Sequence, residues 1–206
     1  MRLIALALLT AGLIAGPPSV PALRAQPTQE IVLSAKAQTG TDTRDVRFSF
    51  MCSANHGPGV IGVLEIGLAV PGFERLAPLF PFDDFEGPDA HAGKLTSLEA
   101  TAEGGTVRDT FWAAGWIGGE ADHSFHFGVN GMLRNDAPRL AAVAAVLRKV
   151  VAGPGKLVWR QGNTRPGGVP IIATLTITTA DAARVGSVLR PCLAAAGGAR
   201  HLPRDR

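Results

Sequence analysis

Alternating hydrophobic and polar residues predict a half-buried strand at residues 45–53, DVRFSFMCS. Successive side chains of a strand point to opposite faces, so every second residue lies on the same side. The residues on the inward side are Val46, Phe48, Phe50 and Cys52. Polar Arg47 and Ser49 fall on the other side, so one face of this strand is expected to meet the core.

Further segments with strand-like patterns or composition lie along the chain, at 30–38, 59–70, 94–102, 106–117, 123–129, 156–161 and 171–179. Two segments repeat apolar residues at helical spacing instead, one at 137–151 and one that begins near Thr178 and includes Cys192. The sequence therefore predicts an α+β fold, a mainly antiparallel sheet or sandwich of about seven strands with two helices.

The N-terminus indicates export. Met1 and Arg2 precede an uncharged apolar run at residues 3–16, and Pro17 and Pro18 end it. This is the layout of a signal peptide at residues 1–25, with cleavage after Ala22 or Ala25. The run is shorter than the roughly 20 residues that span a bilayer, which argues against the alternative of a membrane anchor. We expect a periplasmic or secreted protein with one domain at 26–196 and a flexible, basic tail at 197–206.

Export makes a disulfide between the two cysteines expected, because disulfides persist in oxidising compartments. Cys52 faces inward on an early strand, and Cys192 lies on the apolar face of the last helix. Thr178 and Asp181 form a capping signature at the start of that helix. The sequence therefore predicts a Cys52–Cys192 disulfide that clamps the C-terminal helix to the sheet.

Charge limits the class of partner. The formal net charge is +3 over the whole chain, and removal of Arg2 and Arg24 with the signal peptide would leave about +1. A nearly neutral domain does not favour nucleic acid. No second long apolar run exists, so no transmembrane segment is expected in the mature chain. The expected partner is a protein or an envelope component.

The most unusual stretch is FPFDDFEGPDAH, residues 80–91. Its possible binding residues are Asp83, Asp84, Glu86, Asp89 and His91, and its four carboxylates are candidate ligands for a hard cation such as calcium. The spacing does not match an EF-hand loop. Two alternatives stay open: a structural turn, in which three phenylalanines enter the core and the aspartates bind backbone, and a surface for docking a partner.

Other patterns for catalysis are weak. His123 and His126 are three residues apart on a predicted strand, which places them on opposite faces. No Gly-x-Ser-x-Gly elbow is present, and no catalytic residue is assigned. Trp112 and Trp116 share a predicted strand face, where they would form either a sugar-stacking platform or, by the usual preference of tryptophan, part of the core.

The strand RFSFMC at 47–52 and the ending ATLTITTADAARVGSVLRPC at 173–192 are similar in layout to small periplasmic accessory proteins. Some of those proteins are associated with type VI secretion or with bacterial invasion loci. The resemblance implies an exported accessory role and does not extend to FDDFEGPD.

Three functions follow as expectations. The first is an exported, non-enzymatic binding or accessory protein. The second is a metal-dependent hydrolase that uses the acidic segment 83–91. The third is a calcium-stabilised structural domain of the envelope.

Overall fold

The computed structural model describes residues 29–53, 62–87, 90–91, 93–133 and 137–198. The strands are β1 Gln29–Thr39, β2 Asp42–Ser53, β3 Val63–Pro71, β4 Thr96–Ala102, β5 Gly105–Phe111, β6 Ala114–Ile117, β7 Ser124–Met132, β8 Gly155–Gln161 and β9 Ile171–Ile177. The helices are α1 Ala137–Val151 and α2 Thr179–Gly198, and two short 3₁₀ turns lie at Phe73–Leu76 and Phe82–Phe85. The predicted signal peptide and residues 199–206 of the predicted tail lie outside these ranges.

All nine strands form one antiparallel sheet in the order β5-β4-β8-β9-β1-β2-β3-β7-β6, so the expected α+β architecture is confirmed as a single sheet. The predicted inward positions of β2, β3 and β9 are buried, whereas in β1, at the centre of the sheet, Leu33 and Ala37 are buried and Ile31 and Ala35 are half-buried. Those of β2 are Val46, Phe48, Phe50 and Cys52; those of β3 are Leu64, Ile66, Leu68 and Val70; those of β9 are Ile171, Ala173, Leu175 and Ile177. Alternation was therefore a sound guide to the buried face of β2, β3 and β9.

The single strand predicted at 106–117 is wrong. The chain leaves β5 at Phe111, passes through Trp112 and Ala113, and enters β6 at Ala114. These two strands are the opposite edges of the sheet. A flat sheet of nine strands would separate its edges by about 38 Å, whereas the link spans at most about 11 Å. The sheet is therefore rolled into a half-barrel.

Helix α1 lies inside the curved sheet, where it contacts strands from both sides of the opening, including β4, β5 and β7. Its core-facing residues are all buried: Leu140, Val143, Ala144, Val146, Leu147 and Val150. A helix with so wide an apolar surface needs partners on several sides. The rolled sheet and α2 together provide them.

Helix α2 crosses the inner side of β1, β2 and β3, and it is joined to β2 by the predicted disulfide between Cys52 and Cys192. The predicted capping signature is also present: Asp181 N–H donates to Thr178 Oγ1 at 3.1 Å, and Thr178 N–H donates to Asp181 Oδ2 at 3.2 Å. Pro191 does not end the helix, which continues to Gly198. The crosslink at the next residue holds this turn against the sheet.

No helix in the described ranges is long and apolar enough to cross a membrane.

The disulfide is expected to be a major source of stability. It closes a loop with a sequence separation of 140 residues. Removing a crosslink that closes so long a loop lowers the free energy of unfolding by about 3–5 kcal/mol. We expect Cys52→Ala/Cys192→Ala to lower the free energy of unfolding in urea by this amount. A doubly substituted protein as stable as the oxidised parent would contradict the clamp.

Candidate functional site

The acidic segment, residues 80–91, is anchored by an aromatic cluster. Phe80, Phe82 and Phe85 are buried. The rings of Phe80 and Phe85 stack with centroids 5.5 Å apart, and Phe85 meets Phe127 of β7 edge to face at 5.4 Å. Such aromatic pairs add to the free energy gained from burial alone. The three phenylalanines therefore enter the core, as the structural-turn alternative expected.

The same segment covers the free edge of β6. Glu86 forms a parallel backbone bridge with Gly115, and Ile117 N–H donates to Glu86 Oε1 at 3.4 Å. The carboxylate of Asp84 accepts a hydrogen bond from the Thr164 hydroxyl. An uncovered edge strand is open to pairing with other chains, and a short covering segment prevents it. Two of the carboxylates thus have structural partners.

The remaining predicted binding residues do not converge in the described ranges. Asp83 is exposed, and the His91 ring accepts a hydrogen bond from Gly93 N–H at 2.9 Å. Asp89 lies outside the described residues. Among the residues described, no three His, Cys, Asp or Glu side chains are grouped as ligands for a metal ion. The calcium site at Asp83, Asp84, Glu86 and Asp89 stays a prediction.

A different set of polar, small and aromatic residues comes together on the outer face of the half-barrel. We call it the outer platform; its residues are Glu30, Val32, Arg47, Ser49, Glu65, Gly67, Ala69, Trp116, Asp122, His126 and Gly128. The registers place Ser49, Gly67, Gly128 and Ala114 side by side across four strands. The next outward row is Arg47, Ala69, His126 and Trp116. Small side chains make the middle of this surface a flat floor.

Trp116 lies on this floor and is 40 % exposed, so the expectation that it belongs to the core is wrong. Its ring stacks on the imidazole of His126, with centroids 5.4 Å apart and an angle of 13° between the planes. A Cβ atom at Gly128 would stand 2.9 Å from the Trp116 ring. A larger residue at position 128 would push the indole away from its observed position.

Asp122 connects the polar side chains next to Trp116. Its two carboxylate oxygens are hydrogen-bonded to Arg47 and to His126, respectively. Arg47 also donates to Ser124 Oγ at 3.0 Å. Partial burial opposes ionisation of Asp122, but the hydrogen bonds and charges of His126 and Arg47 outweigh it and lower its pKa. Asp122 is therefore ionised and holds the other two side chains in place.

The pKa of Glu65 is shifted in the opposite direction, upward. It points outward from β3 but is half-buried, and this burial raises the pKa of its carboxyl. The nearby charge of Glu30 raises it further, against a hydrogen bond with Asn130 that lowers it. A Cβ atom at Gly128 would lie 3.5 Å from Glu65 Oε1. Glu65 and Trp116 thus approach the same point on the floor.

Part of the platform forms a shallow hollow of about 200 Å³. The residues that line it are Glu30, Val32, Arg47, Ser49, Ala69, Asp122 and His126. Pockets that enclose a whole small molecule are larger, roughly 300–1,000 Å³. The hollow suits a single side chain or ring that belongs to a larger molecule.

The platform does not have the geometry of a nucleophilic hydrolase. In a Ser-His-Asp triad the histidine lies between the other two and accepts the serine proton. Here Asp122 lies between His126 and Ser124, whose hydroxyl is 3.2 Å from Asp122 Oδ1. The order of the three groups therefore favours a role in binding, with side chains fixed by hydrogen bonds, over a catalytic role that needs proton transfer from serine.

A second hollow, of about 460 Å³, lies between β5 and the start of α1. One of its charged residues, Arg139, stacks on Trp112 at 5.3 Å and donates to the carbonyls of Trp112 and Asn130 at 2.9 and 2.6 Å. These contacts fasten the opening between the two edges of the sheet. The adjoining residues 134–136 are outside the described ranges, and we assign this hollow a structural role.

Sequence reasoning placed His126 on a strand, as observed in β7, but did not find the platform. Its members come from five strands and one turn, and no local motif joins them. One signal was present: Gly67 and Gly128 occupy outward positions of strands, where glycine gives no packing energy.

A scan against protein-family models found no match, and searches of curated proteins and solved structures found none either.

Phe85→Ala tests the anchoring of the acidic segment. Phe85 is 3 % exposed, and loss of a buried phenylalanine ring costs about 3–5 kcal/mol. We expect that loss in urea unfolding, and a change near zero for the matched exposed variant Asp83→Asn. A near-neutral Phe85→Ala would mean that the ring does not fill the core.

Asp122→Asn tests the link between Arg47 and His126. The pKa of Asp122 is lowered in the folded state. The ionised carboxylate therefore contributes its full stabilisation above a pH of about 4, the ordinary value of an aspartate. This stabilisation is lost as the pH falls through the lowered pKa. The stability difference between parent and variant should therefore be largest near neutral pH and shrink below pH of about 4 in a urea series. Asp45→Asn, which removes an exposed carboxylate of the same sheet, is the control. A difference independent of pH would contradict the link.

Proposed function

We propose that this chain is an exported, non-enzymatic binding or accessory protein that engages a partner through the outer platform. The observation that carries the proposal is the exposed, stacked pair of Trp116 and His126 on a floor of small residues, held by Asp122 and Arg47. An exposed tryptophan fixed by neighbours is typical of binding surfaces, since little side-chain freedom is lost on contact.

Export is supported by two independent features. The residues before the domain have the layout of a signal peptide. The Cys52–Cys192 disulfide belongs with oxidising compartments such as the periplasm or the extracellular space.

Binding is favoured over turnover by the form of the site. Catalytic sites commonly exclude water around the reacting atoms, whereas the platform lies on the open face of a sheet. Its hollow of about 200 Å³ accommodates only part of a molecule. A protein or envelope component that presents one side chain or ring fits this geometry better than a small substrate does.

In the hydrolase alternative, side chains of the acidic segment would bind the catalytic metal ion. Asp84 is bonded to Thr164, and Glu86 is bonded to the backbone of β6. These partners support a structural role for the segment, and we do not carry the hydrolase or the calcium-stabilised domain further.

Site-specific photo-crosslinking tests the proposal. Val32 is 48 % exposed at the border of the platform. With p-benzoylphenylalanine at position 32, we expect a discrete crosslinked product in the native host, and we expect Trp116→Leu to reduce it strongly. The matched control carries the same photoreactive residue at Ala194, an exposed position of α2.

Two results would overturn the proposal. One is an identical set of products from positions 32 and 194, which would indicate random collision. The other is a product from position 32 that is unchanged by Trp116→Leu.

A further inference from the structure

We infer that the outer platform binds a cationic side chain, lysine or arginine, that a protein partner presents between Glu30, Glu65 and Trp116. This inference rests on the proposed function and names the chemistry of its partner. It starts from the balance of charges on the platform.

The guanidinium of Arg47 is already paired with a carboxylate. Arg47 and His126 both contact Asp122, which lies between them. Glu30 and Glu65 have no such partner: within the part of the chain that the structure describes, neither forms an ion pair. The two carboxylates therefore leave an uncompensated negative charge on this face of the sheet.

The two carboxylates lie in one row. Glu30 is opposite Met51, and Met51 is opposite Glu65, so all three point outward from neighbouring strands. The charge of Glu30 disfavours ionisation of Glu65. A cation held near both carboxylates would offset this effect. Because Glu65 is half-buried, its attraction to a cation is screened less than that of a solvated carboxylate.

Trp116 supplies the second recognition element. Its ring and the Glu65 carboxylate converge above Gly128. A lysine or arginine head group over an indole face is attracted by the π electrons, and tryptophan is the strongest of the aromatic partners. The same cation can therefore meet the ring and the carboxylate together.

The border of the surface suits a protein that carries this cation. Val32 and Met132 are exposed apolar side chains on the outward side of β1 and β7. Tryptophan and methionine are enriched at protein interfaces, where apolar contacts surround a few charged ones.

The inference is tested with an oligo-arginine peptide as the probe. Its oligo-citrulline counterpart has nearly the same shape without the charge. The readout is the indole N–H signal of Trp116 in ¹⁵N-labelled protein, assigned by its loss in Trp116→Leu. The variants are Glu65→Gln, Glu30→Gln and Trp116→Leu, and the matched control is Glu103→Gln, which removes an exposed carboxylate in the turn after β4.

We expect the arginine peptide to shift the Trp116 signal and the citrulline peptide to leave it in place. We expect Glu65→Gln and Glu30→Gln each to weaken binding of the arginine peptide by about two- to fivefold, as measured from the Trp116 signal. We expect Trp116→Leu to weaken binding to the same extent, as measured by calorimetry. Glu103→Gln should have no effect.

Equal binding of the two peptides would overturn the inference, and so would a loss with Glu103→Gln as large as that with Glu65→Gln. A neutral chito-oligosaccharide that shifts the Trp116 signal when the arginine peptide does not would also overturn it, yet would leave the proposed function standing. The proposed function fails on a separate result, crosslinking at position 32 that does not depend on Trp116.

Discussion

The fold depends on one short covalent link, Trp112 and Ala113, between strands that lie at opposite edges of the same sheet. Two residues cannot connect the edges of a flat sheet, so the strands must roll until the edges approach each other. Strand twist favours such rolling. Arg139 of α1 then bonds the carbonyls of Trp112 and Asn130, which fixes the opening from the inside.

Rolling gives the sheet a packed inner face and an exposed outer face. The inner face surrounds α1, and the phenylalanine cluster and α2 fill the remaining space. Interiors are packed to the density of organic crystals. The polar side chains of the platform lie instead on the convex outer face, where a sheet presents regularly spaced side chains.

The sequence predicted the parts of the fold that depend on neighbouring residues. Alternation located β1, β2, β3, β8 and β9, and the Thr178–Asp181 cap located the start of α2. The break at Trp112 was not predictable, because FWAAGWI is apolar on both sides of it and the break follows from curvature of the whole sheet. The platform was missed for the same reason, since Arg47, Trp116 and His126 meet only through strand pairing. The disulfide was predictable because each cysteine carried its own local pattern.

The platform also concentrates departures from the rules that stabilise a sheet. Gly67 and Gly128 are directly opposed in β3 and β7, where glycine weakens both strands. Glu65 is a half-buried carboxylate with a raised pKa, and Trp116 exposes a large apolar ring. Each feature by itself lowers stability or solubility, and all three meet above Gly128. Proteins commonly break such rules at sites where function offsets the loss. A sheet selected for stability alone would place a β-branched residue at position 128 and a small polar one at position 116; the observed combination leaves the indole exposed and next to a carboxylate.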